Sequence, residues 1–260
     1  ISDSALYASP NSRYLGSPDK IYLKYSFDFR DRIKFGFLTE KDAGEPFMVS
    51  QVNDSIQALA GNQLKNGFDF YSFNFSLQDF GILKAFTVGD YQLSFGQGLT
   101  LSSGLTFGKS SEAVDMKRTA RGLRSSVSSN ENLFFRGSSA TIAYNQFDLT
   151  AFYSNHSVDA NISEGDSLTS ETDYISSMQE SGLHRTPSEL QDEKAVNINA
   201  FGGHLSWRLS RLKVGITGYY SKLDSYAACG ACGGCRYGWW FGPTATGGLP
   251  LALFCGGSMR

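Results

Sequence analysis

Cysteine is missing from the first 228 residues: all four, Cys229, Cys232, Cys235 and Cys255, fall near the end of the 260-residue chain. No disulfide framework can therefore hold the main body together. Long apolar runs are missing too. No stretch of about 18 apolar residues occurs, which excludes a transmembrane helix. The opening residues, ISDSALYASPNSRYLG, lack a basic n-region and an apolar h-region, so they read as a mature or internal start and not as a signal peptide. A charge excess is lacking as well. The formal net charge of −2 gives no global pull toward nucleic acid. A phosphate-binding loop is nearly present in GLTFGKS (104–110), but only three residues separate its glycines. Four are needed for the backbone N–H groups to curl around phosphates, which excludes that reading.

What is present is aromatic and glycine-rich: 20 Phe, 13 Tyr and 28 Gly. The aromatics recur at every second position. In IYLKYSFDFR (21–30), Leu23, Tyr25, Phe27 and Phe29 alternate with Lys24, Ser26, Asp28 and Arg30. This period of two marks strands with one apolar and one polar face. Similar runs lie at 33–37, 71–77, 82–88, 91–101, 138–145, 147–154, 196–209 and 212–222, which makes nine strands. Gly89-Asp90 reads as a hairpin turn between two of them. Long polar connections fall at 39–67, 102–137 and 155–195, and the other turns are tight.

Aromatic strands of about ten residues, tight turns and long polar loops predict an all-β fold. Its form is an antiparallel up-and-down transmembrane β-barrel, seen in part. Closure would remove the unpaired strand edges that lipid cannot tolerate. A soluble β-sandwich is the competing architecture, since its strands alternate too. The nine-strand count places the 102–137 connection at the opposite end from 39–67, so either a strand is miscounted or part of 102–137 folds into the lumen. The expected organisation is an extension over 1–19, a barrel fragment over 20–224 and an atypical tail over 225–260.

At VGDYQLSFGQGLTL (88–101), RGLRSSVSSNENLFFRG (121–137), SGLHRTPSEL (181–190) and FGGHLSWRL (201–209), the chain resembles a known family. It is similar to the β-barrel portion of Bacteroidetes-type outer-membrane proteins named for a helix-hairpin-helix domain of the ComEA DNA-uptake kind. The resemblance spans about residues 15–225 and implies an outer-membrane location in a Gram-negative bacterium. Residues of a helix-hairpin-helix domain are not found, so a role in DNA uptake would rest on a missing domain. After Asp224 the chain turns rich in Cys, Gly and Trp. The spacing Cys229-x-x-Cys232-x-x-Cys235, with Cys255, has the form of a thiolate metal or cluster site. The alternative, an out-of-frame or artefactual terminus, is the favoured reading of the tail.

Candidate site residues come from the 102–137 connection. Lys117, Arg118, Arg121, Arg124 and Arg136 make it locally basic, and Arg matches oxyanion geometry. These five are expected at the lumen wall or mouth, contacting an anion or carboxylates such as Asp28; a solvated loop is the competing reading. A barrel narrowed in this way should conduct poorly until 111–124 is removed. The 155–195 connection is acidic, with Asp159, Glu164, Asp166, Glu171, Asp173, Glu180, Glu189, Asp192 and Glu193. It contains no dozen-residue calcium loop, so it reads as a solvated surface. His204 and Ser206 share one strand face but lie in no nucleophile elbow. The sequence thus predicts a non-enzymatic pore, transporter or assembly scaffold without cofactor or metal. Outer-membrane lipid and lipopolysaccharide are its expected partners. A membrane-embedded hydrolase is the remaining alternative.

Overall fold

The computed structural model describes residues 14–52, 54, 57, 64–95, 101, 121–163, 174–208, 213–224 and 235–243. The alternating segments form antiparallel strands: β1 (Ile21–Phe29), β2 (Ile33–Lys41), β3 (Phe70–Phe80), β4 (Leu83–Ser94), β5 (Gly122–Ser125), β6 (Phe135–Tyr144), β7 (Phe147–Val158), β8 (Ala160–Ser163), β9 (Tyr174–Met178), β10 (Val196–Arg208), β11 (Lys213–Asp224) and β12 (Cys235–Pro243). Nine of them make one sheet in the order β1-β2-β3-β4-β6-β7-β10-β11-β12, with β5 beside β4. The small β8-β9 ribbon lies apart. The expected all-β antiparallel fold is present. The path is open: among the described residues, β1 and β12 have no second strand neighbour.

The pairs β1–β2, β3–β4 and β6–β7 are joined by tight turns. Asn145 takes a left-handed conformation (φ 51°) that lets Tyr144 pair directly with Phe147. Arg30 and Asp31 both have positive φ, and the Arg32 N–H donates to the Phe29 carbonyl at 3.0 Å. That is a primed turn, which matches the right-handed twist of its strands.

The expected hairpin at Gly89-Asp90 is absent. Both residues lie within β4, which runs unbroken past β3 and β6. Gly89 has φ +99° and faces Gly137, φ +157°, across the β4–β6 ladder. A Cβ at Gly89 would lie 2.3 Å from the Phe73 carbonyl oxygen. The glycine therefore serves close strand approach inside the sheet and not chain reversal. With this strand undivided the mismatch between loops disappears. Among the described residues, the tight turns at 30–32, 81–82 and 145–146 fall at one end of the sheet, and the strand ends at 41, 70, 94, 135, 158 and 196 that flank the long connections fall at the other. The strand that brings the path back to nine is β12, in the tail.

The polarity of the sheet is inverted relative to a protein with an apolar core. The buried face carries Ser72, Asn74, Ser76, Thr87, Ser139, Thr141, Asp148, Thr150, Ser154, His204, Ser206 and Thr217. The exposed face carries Tyr25, Phe27, Phe73, Phe75, Leu149, Tyr153, Phe201, Leu205 and Ile216. The sheet curls around its polar side. The Tyr91 hydroxyl of β4 donates to the Tyr153 carbonyl of β7 at 2.7 Å, and Phe95 stacks on His204 of β10 at 4.3 Å. Tyr91, Leu93, Phe95, Leu101 and Phe152 make an apolar layer inside the curl, on the long-connection side of β4.

Candidate functional site

The described parts of the long connections fold over their end of the sheet as a cap. Thr186-Pro187-Ser188-Glu189 starts the single-turn helix α1 (Pro187–Gln191) with a capping box. The Glu189 N–H donates to Thr186 Oγ1 at 3.3 Å, while Glu189 Oε2 accepts from the Thr186 N–H at 3.2 Å. Proline at the first helical position suits this start. Leu190 then packs with Val52 and Leu64, joined by Leu15 and Val49. Residues 14–16 are tied to the cap. The Leu15 N–H donates to the Arg185 carbonyl at 2.9 Å, and Arg185 lies over the Tyr14 ring at 4.9 Å.

Beneath the cap is a cavity of about 230 Å³, lined by residues from 45–46, 64–71, 131–136, 156–159 and 184–194. His184 is buried in its wall. Its Nδ1 is 2.6 Å from Asp69 Oδ2, its Nε2 is 3.1 Å from Asp159 Oδ2, and its backbone N–H donates to Glu45 Oε1 at 2.9 Å. Glu45 Oε2 accepts from the Asp42 N–H at 2.7 Å, and Asp159 Oδ1 accepts from the Lys194 N–H at 2.8 Å. Glu131 and Glu193 add two more carboxyl groups to the cavity wall.

Burial opposes charge here, and the partners decide which groups keep it. Burial alone would lower His184, but its ring hydrogen bonds to the Asp159 and Asp69 carboxylates outweigh that and push the imidazole up to about 11. Burial, with the nearby Asp69 charge, lifts Glu45 to about 7 and Glu131 to about 8. Asp159 stays below its ordinary value despite burial, because His184 and the Lys194 N–H hold its charged form. Glu45, Asp69 and His184 each offer a ligand atom, and all three atoms lie within 4.8 Å of one another.

The sequence-predicted site residues do not gather here as a group. Lys117 and Arg118 lie outside the described residues. Arg121 and Arg124 are exposed, with Arg124 on β5 opposite Gln92. Arg136 is occupied by fully buried Asp90, through Nε to Oδ1 at 2.7 Å and Nη2 to Oδ2 at 2.9 Å. Its Nη2 also donates to the Tyr71 carbonyl at 2.8 Å. Asp28, the expected partner of the arginines, sits at the opposite end and pairs with Lys34 at 3.0 Å. The 102–137 connection does turn inward in part. Leu123 packs on the apolar layer beside Tyr91, and Val127 lies where a Cβ on Gly36 would point, 2.5 Å from it.

The 155–195 connection is not the wholly solvated surface expected from its composition, since Asp159 and Glu193 are buried in it. Glu164, Asp166, Glu171 and Asp173 lie outside the described residues. His204 and Ser206 do share the inner face, but His204 Nδ1 is 2.7 Å from Thr217 Oγ1. Of the tail cysteines only Cys235 is described, at the start of β12. The His184 cluster was missed because its members are 115 and 139 residues from their partners. The one local signal was the capping box that fixes the chain just after His184. Comparison with known protein families, characterised proteins and solved structures gives no match.

Proposed function

We propose that this chain is the barrel-forming part of a non-enzymatic outer-membrane protein, acting as a pore, transporter or assembly scaffold. The observation that carries the reading is the inverted sheet: apolar side chains outside, hydroxyls, amides and charges inside. Water-soluble sheets bury the opposite face. A barrel in lipid needs this arrangement, because its outer surface meets hydrocarbon and its lumen meets water.

Two further features support it. The sheet strands other than β5 run 9 to 13 residues, near the length that crosses a bilayer at a tilt. Exposed Phe29, Phe80, Tyr144, Phe147 and Trp207 line the tight-turn end, as an interfacial aromatic girdle does. The free edges of β1 and β12 would have to be paired in lipid, by closure or by further strands.

The test is heat-modifiable migration of the refolded chain on gels, together with partition into detergent. The proposal requires both. A chain that folds and stays monomeric in buffer without detergent refutes it.

A further inference from the structure

We propose that Glu45, Asp69 and His184 bind one divalent cation of the zinc or manganese class in the cavity under the cap, with Asp159 as the positioning residue. This goes beyond the barrel reading and does not depend on it.

The geometry is that of a carboxylate–histidine–metal unit. Asp159 Oδ2 stands 3.1 Å from Nε2, and its other oxygen is fixed by the Lys194 N–H. A carboxylate so placed holds the proton on Nε2 and leaves Nδ1 as the ligand. Nδ1 faces Asp69 Oδ2 at 2.6 Å. The cation takes the place of the proton between these two atoms, and that proton leaves to solvent. Glu45 completes a three-ligand set whose atoms lie within 4.8 Å of one another, a span that small side-chain rotations close around one ion. One imidazole nitrogen with two carboxylate oxygens suits zinc and manganese.

An independent observation is a buried carboxylate oxygen without a donor. Glu193 is 6% exposed and lines the same cavity, yet its Oε2 meets no hydrogen-bond donor. Its other oxygen is held by Lys194 Nζ. Five carboxyl groups, Glu45, Asp69, Glu131, Asp159 and Glu193, surround the space. Arg136 is committed to Asp90, leaving Lys65, Lys194 and the His184 ring to oppose them.

The experiment uses the full chain, refolded in detergent, with its four cysteines changed to serine so that tail thiolates do not compete. After chelation, Zn²⁺ or Mn²⁺ is added alone and followed by calorimetry and elemental analysis. The proposal predicts one ion per chain. Asp159→Asn should weaken binding by about 10–100-fold, the usual effect of losing an outer-shell partner. His184→Gln and Asp69→Asn should each weaken it at least as much, and Asp148→Asn, outside the cavity, should not change it. If His184→Gln does not fold, Asp69→Asn carries the same test. Absence of saturable binding below millimolar metal overturns the proposal. So does binding of equal strength in the Asp69 or His184 variant. Calcium binding that survives His184→Gln unchanged, with no zinc or manganese binding, overturns it by showing an oxygen-only site.

Discussion

Replacing Phe201 with arginine separates a lipid-facing sheet from a water-facing one by the size of the effect. Phe201 is the sixth residue of the thirteen in β10, so it lies near the middle of the strand. It is 53% exposed and stands between Tyr153 of β7 and Tyr220 of β11. Its ring meets Tyr220 at 5.2 Å. Losing that aromatic contact costs about 0.5–1.5 kcal/mol in either environment. In lipid, an arginine at mid-depth adds about 2–4 kcal/mol. The expected destabilisation in vesicles is therefore about 3–5 kcal/mol, which is at least a hundredfold in the folding equilibrium. In water the charge term vanishes, and an exposed arginine should improve solubility. The assay is urea unfolding in lipid vesicles, followed by tryptophan fluorescence, for wild type and Phe201→Arg. A loss below about 1 kcal/mol would match the aromatic contact alone and refute the reasoning.

Other outcomes follow from the same structure. Asp90→Ala should cost about 2–3 kcal/mol in that assay, less than a wholly buried pair because the Arg136 side chain keeps 35% exposure. Asp90→Asn should cost less, because it keeps an acceptor for Arg136. Gly89→Ala should destabilise by more than about 1 kcal/mol, since φ is +99° and the new Cβ would press on the Phe73 carbonyl oxygen. In chelator, cap stability should fall as pH rises from about 5 toward 9, read by near-ultraviolet circular dichroism. The sign comes from Glu131, held protonated up to about 8 only in the fold, and from His184, whose stabilising charge is full below about 6.5 and fades toward about 11. A rise in cap stability over that range would count against the cluster. Cysteines placed at Lys65 and Asp192 should react with an impermeant label from one side of the vesicle, and those at Asp31 and Asn145 from the other.

Strand identity was legible because a period of two survives in every strand with a single apolar face. At β7, Phe147, Leu149, Ala151 and Tyr153 alternate with Asp148, Thr150, Phe152 and Ser154, and the fold keeps that alternation as exposed and buried. Gly89-Asp90 misled because a glycine with positive φ serves a turn and a close strand approach equally well, and only the tertiary contact with Phe73 distinguishes them. The five basic residues were singled out by local charge density, a measure blind to Asp90, which lies 46 residues before Arg136. The inverse held for Asp159 and Glu193. Their loop looked solvated because sequence alone does not reveal the cap that closes over them.

Whether the exposed apolar face meets lipid is read most plainly from a cysteine scan along residues 147–154 of β7. Each position, in a background with the native cysteines changed to serine, would carry a fluorophore in vesicles with a lipid-borne quencher. A lipid-facing apolar face gives strong quenching at 147, 149, 151 and 153, and weak quenching at 148, 150, 152 and 154, following the exposed and buried alternation of the strand. Quenching that is weak at all eight positions, or strong at the even-numbered ones, would contradict it.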